Sequence, residues 1–144
     1  MVYERDDLYM NAAPAPGPEV DTNESLYRCL PTMDWWVASE KRPSSAAFRN
    51  PDFSTDMVSV AKTPEYTLAR FRKGSGLVIF KYGNAKVIGF IARIEPDPDH
   101  PDNTAHANVY NPPASLSKRK TLALKLIAKI VECGGIVREP TFDS

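Results

Sequence analysis

Hydrophobic residues between positions 115 and 133 recur at the spacing of one helix face. Lysines gather on the opposite face, and the apolar face is formed by Leu116, Ala123, Ile127, Ile130 and Val131. Ser115 or Ser117 supplies an N-cap, and Gly134-Gly135 supplies a C-terminal stop. The pattern therefore predicts that the longest helix of the chain covers 116–133.

A second helix start lies at Thr63-Pro64-Glu65. Threonine is a good N-cap, proline fits the first helical position because an N–H there has no helical partner, and glutamate suits the first turn. We expect this helix to cover 64–72 and to end before Gly74.

Short apolar runs elsewhere in the chain predict strands. Leu26 to Leu30 reads as a first strand that Pro31 stops, and Leu77 to Phe80 has the β-branched and aromatic residues of a buried strand. Further strands are expected at 57–61, 87–94, 105–110 and 136–138.

The connection between the two central apolar runs has two interpretations. In the first, 76–82 and 86–95 pair as a simple hairpin through turn residues at Tyr82-Gly83-Asn84. In the alternative, a short helix at 83–88 links two strands that do not pair. With either connection the elements predict an α+β fold, in which a small, mostly antiparallel sheet packs against the long C-terminal amphipathic helix and a second short helix is added.

The N-terminal segment 1–24 differs in composition from the remainder. It has six acidic residues against one basic residue, together with the run Ala-Ala-Pro-Ala-Pro-Gly-Pro, so it buries too little apolar surface to offset the entropy lost on ordering. We expect an acidic tail at 1–24 and a single α+β domain at 25–144. The apolar exceptions in the tail are candidates for docking to a partner protein: Tyr3, Leu8, Tyr9 and Met10.

Composition places the chain among cytoplasmic globular proteins. With 42% hydrophobic and 25% charged residues, its longest apolar run falls far short of the roughly 18 residues of a membrane span, so we expect no membrane association. No export signal is evident at the N-terminus. Cys29 and Cys133 lie far apart and form no metal-type pair, which suits structural thiols in a reducing compartment.

Two surface features bear on partners. Trp35 and Trp36 are adjacent, so on a strand one indole enters the core while the other covers a surface or a partner groove. The C-terminal helix carries a basic face that no interleaved aromatic residues accompany, which favours a solvated face over contact with nucleic acid: Lys118, Arg119, Lys120, Lys125 and Lys129. A protein is therefore the favoured partner.

Both histidines lie in the stretch 94–110, beside several aspartates and prolines. A calcium loop of the EF-hand type needs a glycine at its sharp turn, where this stretch has prolines, and a zinc site needs ligands that the distant cysteines do not supply. We expect a solvated loop without a metal. His106, set between two alanines on a strand, is the candidate for a general base or an anion ligand. No nucleotide, hydrolase or zinc-protease motif is present, so no cofactor is expected.

Several motifs in fixed order resemble a family of small prokaryotic proteins of unassigned function. They are Arg28, the run Ser44-Ser-Ala-Ala-Phe48, Val58-Ser-Val60 and Asp102-Asn-Thr-Ala-His106-Ala. The resemblance covers roughly 28–130 and implies a compact cytoplasmic α+β domain, with no activity attached. It also implies that Arg28, Ser44, Ser45 and His106 converge in space.

A second set of residues resembles ADP-ribosyltransferase-like folds, in which an arginine follows an aromatic residue on the first strand and Phe-Ser-Thr occurs on a later one. Here those residues are Tyr27-Arg28 and Phe53-Ser54-Thr55. The glutamate pair that such enzymes carry near the end is missing, and only Glu139 is available.

Two functional hypotheses follow from these observations. The first is a non-enzymatic accessory or protein-interaction protein of a prokaryotic cytoplasm, motivated by the missing catalytic motifs, the separate N-terminal segment and the paired tryptophans. The alternative is a small enzyme or ligand-binding domain, in which Arg28, Ser44, Ser45 and His106 hold a phosphorylated or nucleotide-like ligand and His106 and Arg28 are the catalytic candidates.

Overall fold

A computed structural model describes residues 16–142 of the chain. Six strands form one antiparallel sheet, and two very short strands form a separate hairpin. In chain order the strands are β1 (Ser25–Leu30), β2 (Trp36–Val37), β3 (Arg42–Pro43), β4 (Asp52–Met57), β5 (Gly76–Lys81), β6 (Ile91–Ile94), β7 (His106–Tyr110) and β8 (Ile136–Arg138). The spatial order in the large sheet is β6-β7-β4-β1-β5-β8, and β2 pairs with β3.

Within 16–142, four α-helices complete the fold: α1 (Val58–Ala61), α2 (Pro64–Leu68), α3 (Tyr82–Ile88) and α4 (Leu116–Glu132). The N-caps predicted for α2 and α4 are confirmed. Ser115 Oγ accepts from the Lys118 N–H at 3.1 Å, and Thr63 Oγ1 accepts from the Tyr66 N–H at 3.3 Å. The predicted α+β class, with an antiparallel sheet against a long C-terminal helix, is confirmed.

Several local predictions are wrong: helix α2 ends at Leu68, short of the expected 72, and strand β6 begins at Ile91 in place of 87. The strand expected at 57–61 is instead the polar segment Asp52–Met57, and 58–61 is helical. The hairpin between 76–82 and 86–95 does not form, because helix α3 links β5 to β6 and three strands separate these two in the sheet. The alternative of a short linking helix is confirmed, and it ends at Gly89, whose φ of 136° suits a residue without a Cβ.

Helix α4 covers one face of the sheet and forms the main core with it. Side chains of β1 alternate between faces, so Leu26 and Leu30 point toward α4 and pack with Leu126 and Ile130. Phe48 lies at the centre and makes edge-to-face contacts with other core aromatics. The side chains on this face of the sheet are therefore buried under α4.

The opposite face is only partly covered. Helices α1 and α2 pack over Tyr27, Cys29 and Leu77 in a second, smaller core. Strands β6 and β7 extend beyond these helices, and the side chains of β7 on this side belong to His106, Asn108 and Tyr110. The open part of the sheet is therefore lined by polar and aromatic side chains.

The two cysteines differ sharply in environment. Cys29 lies in the second core at 3% exposure, and desolvation by burial raises its pKa to about 11, while Cys133 is exposed. At pH 8 only roughly one Cys29 in a thousand would be thiolate, the reactive form. We expect one thiol per chain to react rapidly with Ellman's reagent and the second to react only on unfolding.

The control for this titration is Cys133→Ser, which should remove the fast phase and leave the slow one. Two fast thiols in the folded parent chain would show that Cys29 is not enclosed as the structure describes.

Residues 16–20 lie along the edge of β6 and do not form a free tail. The Val20 N–H donates to the Ala92 carbonyl at 2.9 Å, the Ile94 N–H donates to the Pro18 carbonyl at 2.8 Å, and Val20 is buried. This part of the expected tail at 1–24 therefore belongs to the domain. Within 16–142, no helix combines the length and apolar character that crossing a membrane requires.

Candidate functional site

An open groove of about 840 Å³ lies on the partly covered face, beside β6. Its walls are rich in proline: Pro16, Pro51, Pro96, Pro98 and Pro112. Ile91, Ile94 and Tyr110 add further apolar surface to the lining. Because proline rings have almost no side-chain conformational freedom, such walls lose little entropy when they become ordered around a ligand.

The charged side chains of the groove form hydrogen bonds with other groups of the same chain. Arg93 donates to the Gly17 carbonyl at 3.1 Å. Glu95 accepts from the Gly17 N–H at 3.1 Å and from the Tyr110 hydroxyl. Burial and the hydrogen bond to Glu95 raise the pKa of Tyr110, so its hydroxyl stays a neutral donor. The groove therefore presents a largely neutral, apolar lining.

Gly17 holds the N-terminal segment against the groove. A Cβ at this position would stand 1.9 Å from the Ile94 carbonyl oxygen, so any other residue would push the segment away. The chain thus enters the domain along the rim of the groove, with Pro16 in its lining.

A buried polar cluster lies on the same face, centred on Asp56. Its carboxylate accepts from Thr67 Oγ1 at 2.7 Å, from Asn103 Nδ2 at 2.9 Å and from the Arg70 guanidinium. Asn103 Oδ1 in turn accepts from the Tyr66 hydroxyl at 2.9 Å. These bonds tie helix α2 and the loop 95–105 to strand β4.

His106 lies between this cluster and the groove. Its Nδ1 is 2.6 Å from the Glu95 carbonyl oxygen, and its Nε2 is 3.0 Å from Ser54 Oγ. The ring is 4% exposed, whereas Ser54 is exposed. The other histidine, His100, is partly exposed and lies 3.4 Å from Asp97.

Arg28 lies on the other side of the sheet, on the face that α4 covers. Its guanidinium donates twice to the Ala47 carbonyl, at 3.2 and 3.0 Å, and once to the Ser54 carbonyl at 3.1 Å. It also stacks on Trp35 and Phe53, 4.6 and 5.0 Å from the ring centroids. Desolvation lowers its pKa to about 10, so it stays charged at neutral pH. It is a buried structural arginine.

The four residues that the family resemblance groups together do not converge. Arg28 and the segment 44–47 lie on the helix side, where Ser44 Oγ donates to the Asp34 carbonyl at 3.0 Å and Ser45 begins a 3₁₀ turn. His106 points to the opposite face. For the same reason the Arg28 and Ser54 side chains, which the second likeness relates to transferases, lie on opposite sides of the sheet.

The residues predicted to bind a partner protein lie in different environments. Trp36 is buried in the main core, and Trp35 is half-buried against Arg28, so the paired indoles do not form an exposed patch. Tyr3, Leu8, Tyr9 and Met10 lie outside the described residues. On the basic helix face, Arg119 is held by the carbonyls of Arg49, Pro113 and Ala114.

Sequence reasoning missed the groove and the Asp56 cluster. The proline pairs at 96 and 98 and at 112 and 113 flank β7, a pattern that marks rigid chain on both sides of one strand. Asp56, an acid beside Met57 and Val58, was the signal for a buried ion pair. No group of three or more histidine, cysteine or acidic residues in 16–142 could hold a metal ion.

Comparison with known proteins finds no matching family model, curated protein or solved structure.

Proposed function

We propose that this chain is a protein-interaction module, and that the proline-walled groove beside β6 binds a neutral, extended, apolar segment of a partner protein. The observation that carries the proposal is the groove itself, which is open, about 840 Å³ in volume and lined by five prolines, two isoleucines and a tyrosine. Exposed apolar concavities of this kind are typical of recognition surfaces.

The chemistry of the lining supports the choice of partner. Arg93 and Glu95 are the two charged residues of the lining and carry opposite charges, so the groove has no net charge that would favour a charged ligand. A charged ligand side chain would lose part of its hydration against this mostly apolar lining. An extended backbone fits because residues 18–20 already lie in that conformation along the adjoining edge of β6.

We place this role in the cytoplasm of a prokaryotic cell. The free thiols of Cys29 and Cys133 support a reducing compartment, and the resemblance to small prokaryotic proteins supports the source.

Peptides selected from a phage-displayed random library against the full chain should be neutral and apolar, and their binding should require the groove. Ile91 lines the groove and lies opposite Tyr110 in the ladder, so Ile91→Glu adds a charge on the groove side of β6. We expect this variant to weaken binding by about tenfold or more, measured by fluorescence anisotropy.

Val87→Glu is the matched control, because Val87 is 88% exposed and is not part of the groove lining. It should bind the selected peptides as the parent does. Equal binding of the selected peptides by the parent and Ile91→Glu would show that the groove is not the binding site. Tighter binding after deletion of residues 1–15 would assign the groove to the chain's own N-terminal segment in place of a partner.

A further inference from the structure

Ser54 and His106 form a second feature of this face, separate from the groove. They come from the neighbouring strands β4 and β7, and Ser54 Oγ lies 3.0 Å from His106 Nε2. Ser54 is an exposed residue, whereas His106 is buried. The proline-rich residues 96–98 lie between this pair and the groove.

The contact between His106 Nδ1 and the Glu95 carbonyl fixes the direction of the hydrogen bond between Ser54 and His106. A backbone carbonyl can only accept, so the 2.6 Å contact to Glu95 places the hydrogen of the neutral ring on Nδ1. Nε2 then carries a lone pair, and the Ser54 hydroxyl donates its hydrogen to it. This is the arrangement of a nucleophile, its general base and a third group that orients the base.

A small cavity of about 20 Å³ lies beside the pair, lined also by Tyr27, Arg70 and Asp97. A space of this size holds a group no larger than a water molecule or a methyl group. Asn108 lies directly opposite Ser54 in the ladder, and one N–H of its side-chain amide goes to Asp52 Oδ2 at 2.9 Å.

We propose that Ser54 is a nucleophile activated by His106, and that the site accepts small acyl esters of the acetate class. Ser54 Oγ bonds to the acyl carbon as its proton passes to His106 Nε2. The bond between that carbon and the alcohol oxygen breaks, and the alcohol leaves with the proton from Nε2. Water then adds to the acyl carbon, gives a proton to Nε2, and the bond to Oγ breaks as Oγ recovers that proton. The products are a carboxylic acid and an alcohol.

The test uses the full chain and p-nitrophenyl acetate, with nitrophenol release followed by absorbance and the modified residue located by peptide mass spectrometry. Ser54 should gain the acetyl group, and Ser54→Ala should lose both this modification and the associated release. Ser59 is the control, because it is an exposed serine whose hydroxyl contacts Glu24 and no histidine. Ser59→Ala should react as the parent does.

His106→Gln should slow the acetylation of Ser54 by about 100-fold or more, the usual contribution of a general base. Because a buried substitution can disturb folding, the parent in urea provides a second measurement, in which Ser54 should lose its advantage over Ser59. Equal acetylation of the two serines in the folded chain, or modification of lysines alone, would overturn the proposal. Equal reaction with p-nitrophenyl octanoate would overturn the assignment to small acyl groups.

Discussion

Replacement of Arg28 by alanine should lower the free energy of unfolding by about 2–4 kcal/mol, because a buried acceptor loses its donor and aromatic contacts are lost. The guanidinium is 8% exposed and makes three hydrogen bonds to the carbonyls of Ala47 and Ser54. Without it the buried Ala47 carbonyl has no donor, which costs about 1–3 kcal/mol, and the part-buried Ser54 carbonyl loses its bond as well. The stacking contacts with Trp35 and Phe53 are lost as well.

Urea unfolding followed by tryptophan fluorescence measures this effect. Arg138→Ala is the control, since Arg138 is half exposed and lies 3.7 Å from Glu65, an ion pair worth about 0–1 kcal/mol. Similar unfolding midpoints for the two variants would show that Arg28 does not stabilise the fold. If Arg28 were a ligand-binding residue, its replacement would leave stability unchanged and affect binding alone.

Replacement of Asp56 by alanine should cost about 2–4 kcal/mol and loosen the loop 95–105. The carboxylate is the common acceptor for Thr67, Asn103 and Arg70, so its removal leaves two buried donors and one charge without a partner. Arg70 retains some contact with solvent, which limits the loss.

Urea unfolding gives the stability change of Asp56→Ala, and limited proteolysis reports on the loop. New cleavage should arise within 95–105, because Asn103 would lose its bond to β4. Asp102→Ala, an exposed change in the same loop, should leave both measurements as in the parent. Unchanged cleavage in Asp56→Ala would mean that the loop is held by other contacts.

Local sequence signals were sufficient to predict an element when the contacts that stabilise it lie within the element itself. Helix α4 could be predicted almost to the residue because Ser115 caps it and its apolar face repeats within the helix itself. Strand β4 could not, because its polar residues are satisfied by partners distant in sequence, such as Thr67 and Asn103 for Asp56. Alternating hydrophobicity does not reveal a buried ion pair.

The connection after β5 shows the same limit. Val87 and Ile88 favour a strand by their β-branched side chains, yet they lie in helix α3. What decides the conformation is where the chain must go next: β6 lies at the far edge of the sheet, with three strands between it and β5. A tight hairpin cannot span that distance, and no local sequence pattern specifies the order of the strands in the sheet.

By itself the sequence determined the α+β class, helix α4, the capped start of α2 and most of the strand positions, because these depend on periodicity and on contacts within a few residues. Only the tertiary structure decided which face of the sheet each polar side chain occupies. Arg28 shares the face of Leu26 and Leu30, while pairing with Asp56 sets His106 on the other face. The physical reason is that strand register is set by pairing between distant segments, and a shift of one residue reverses every side chain.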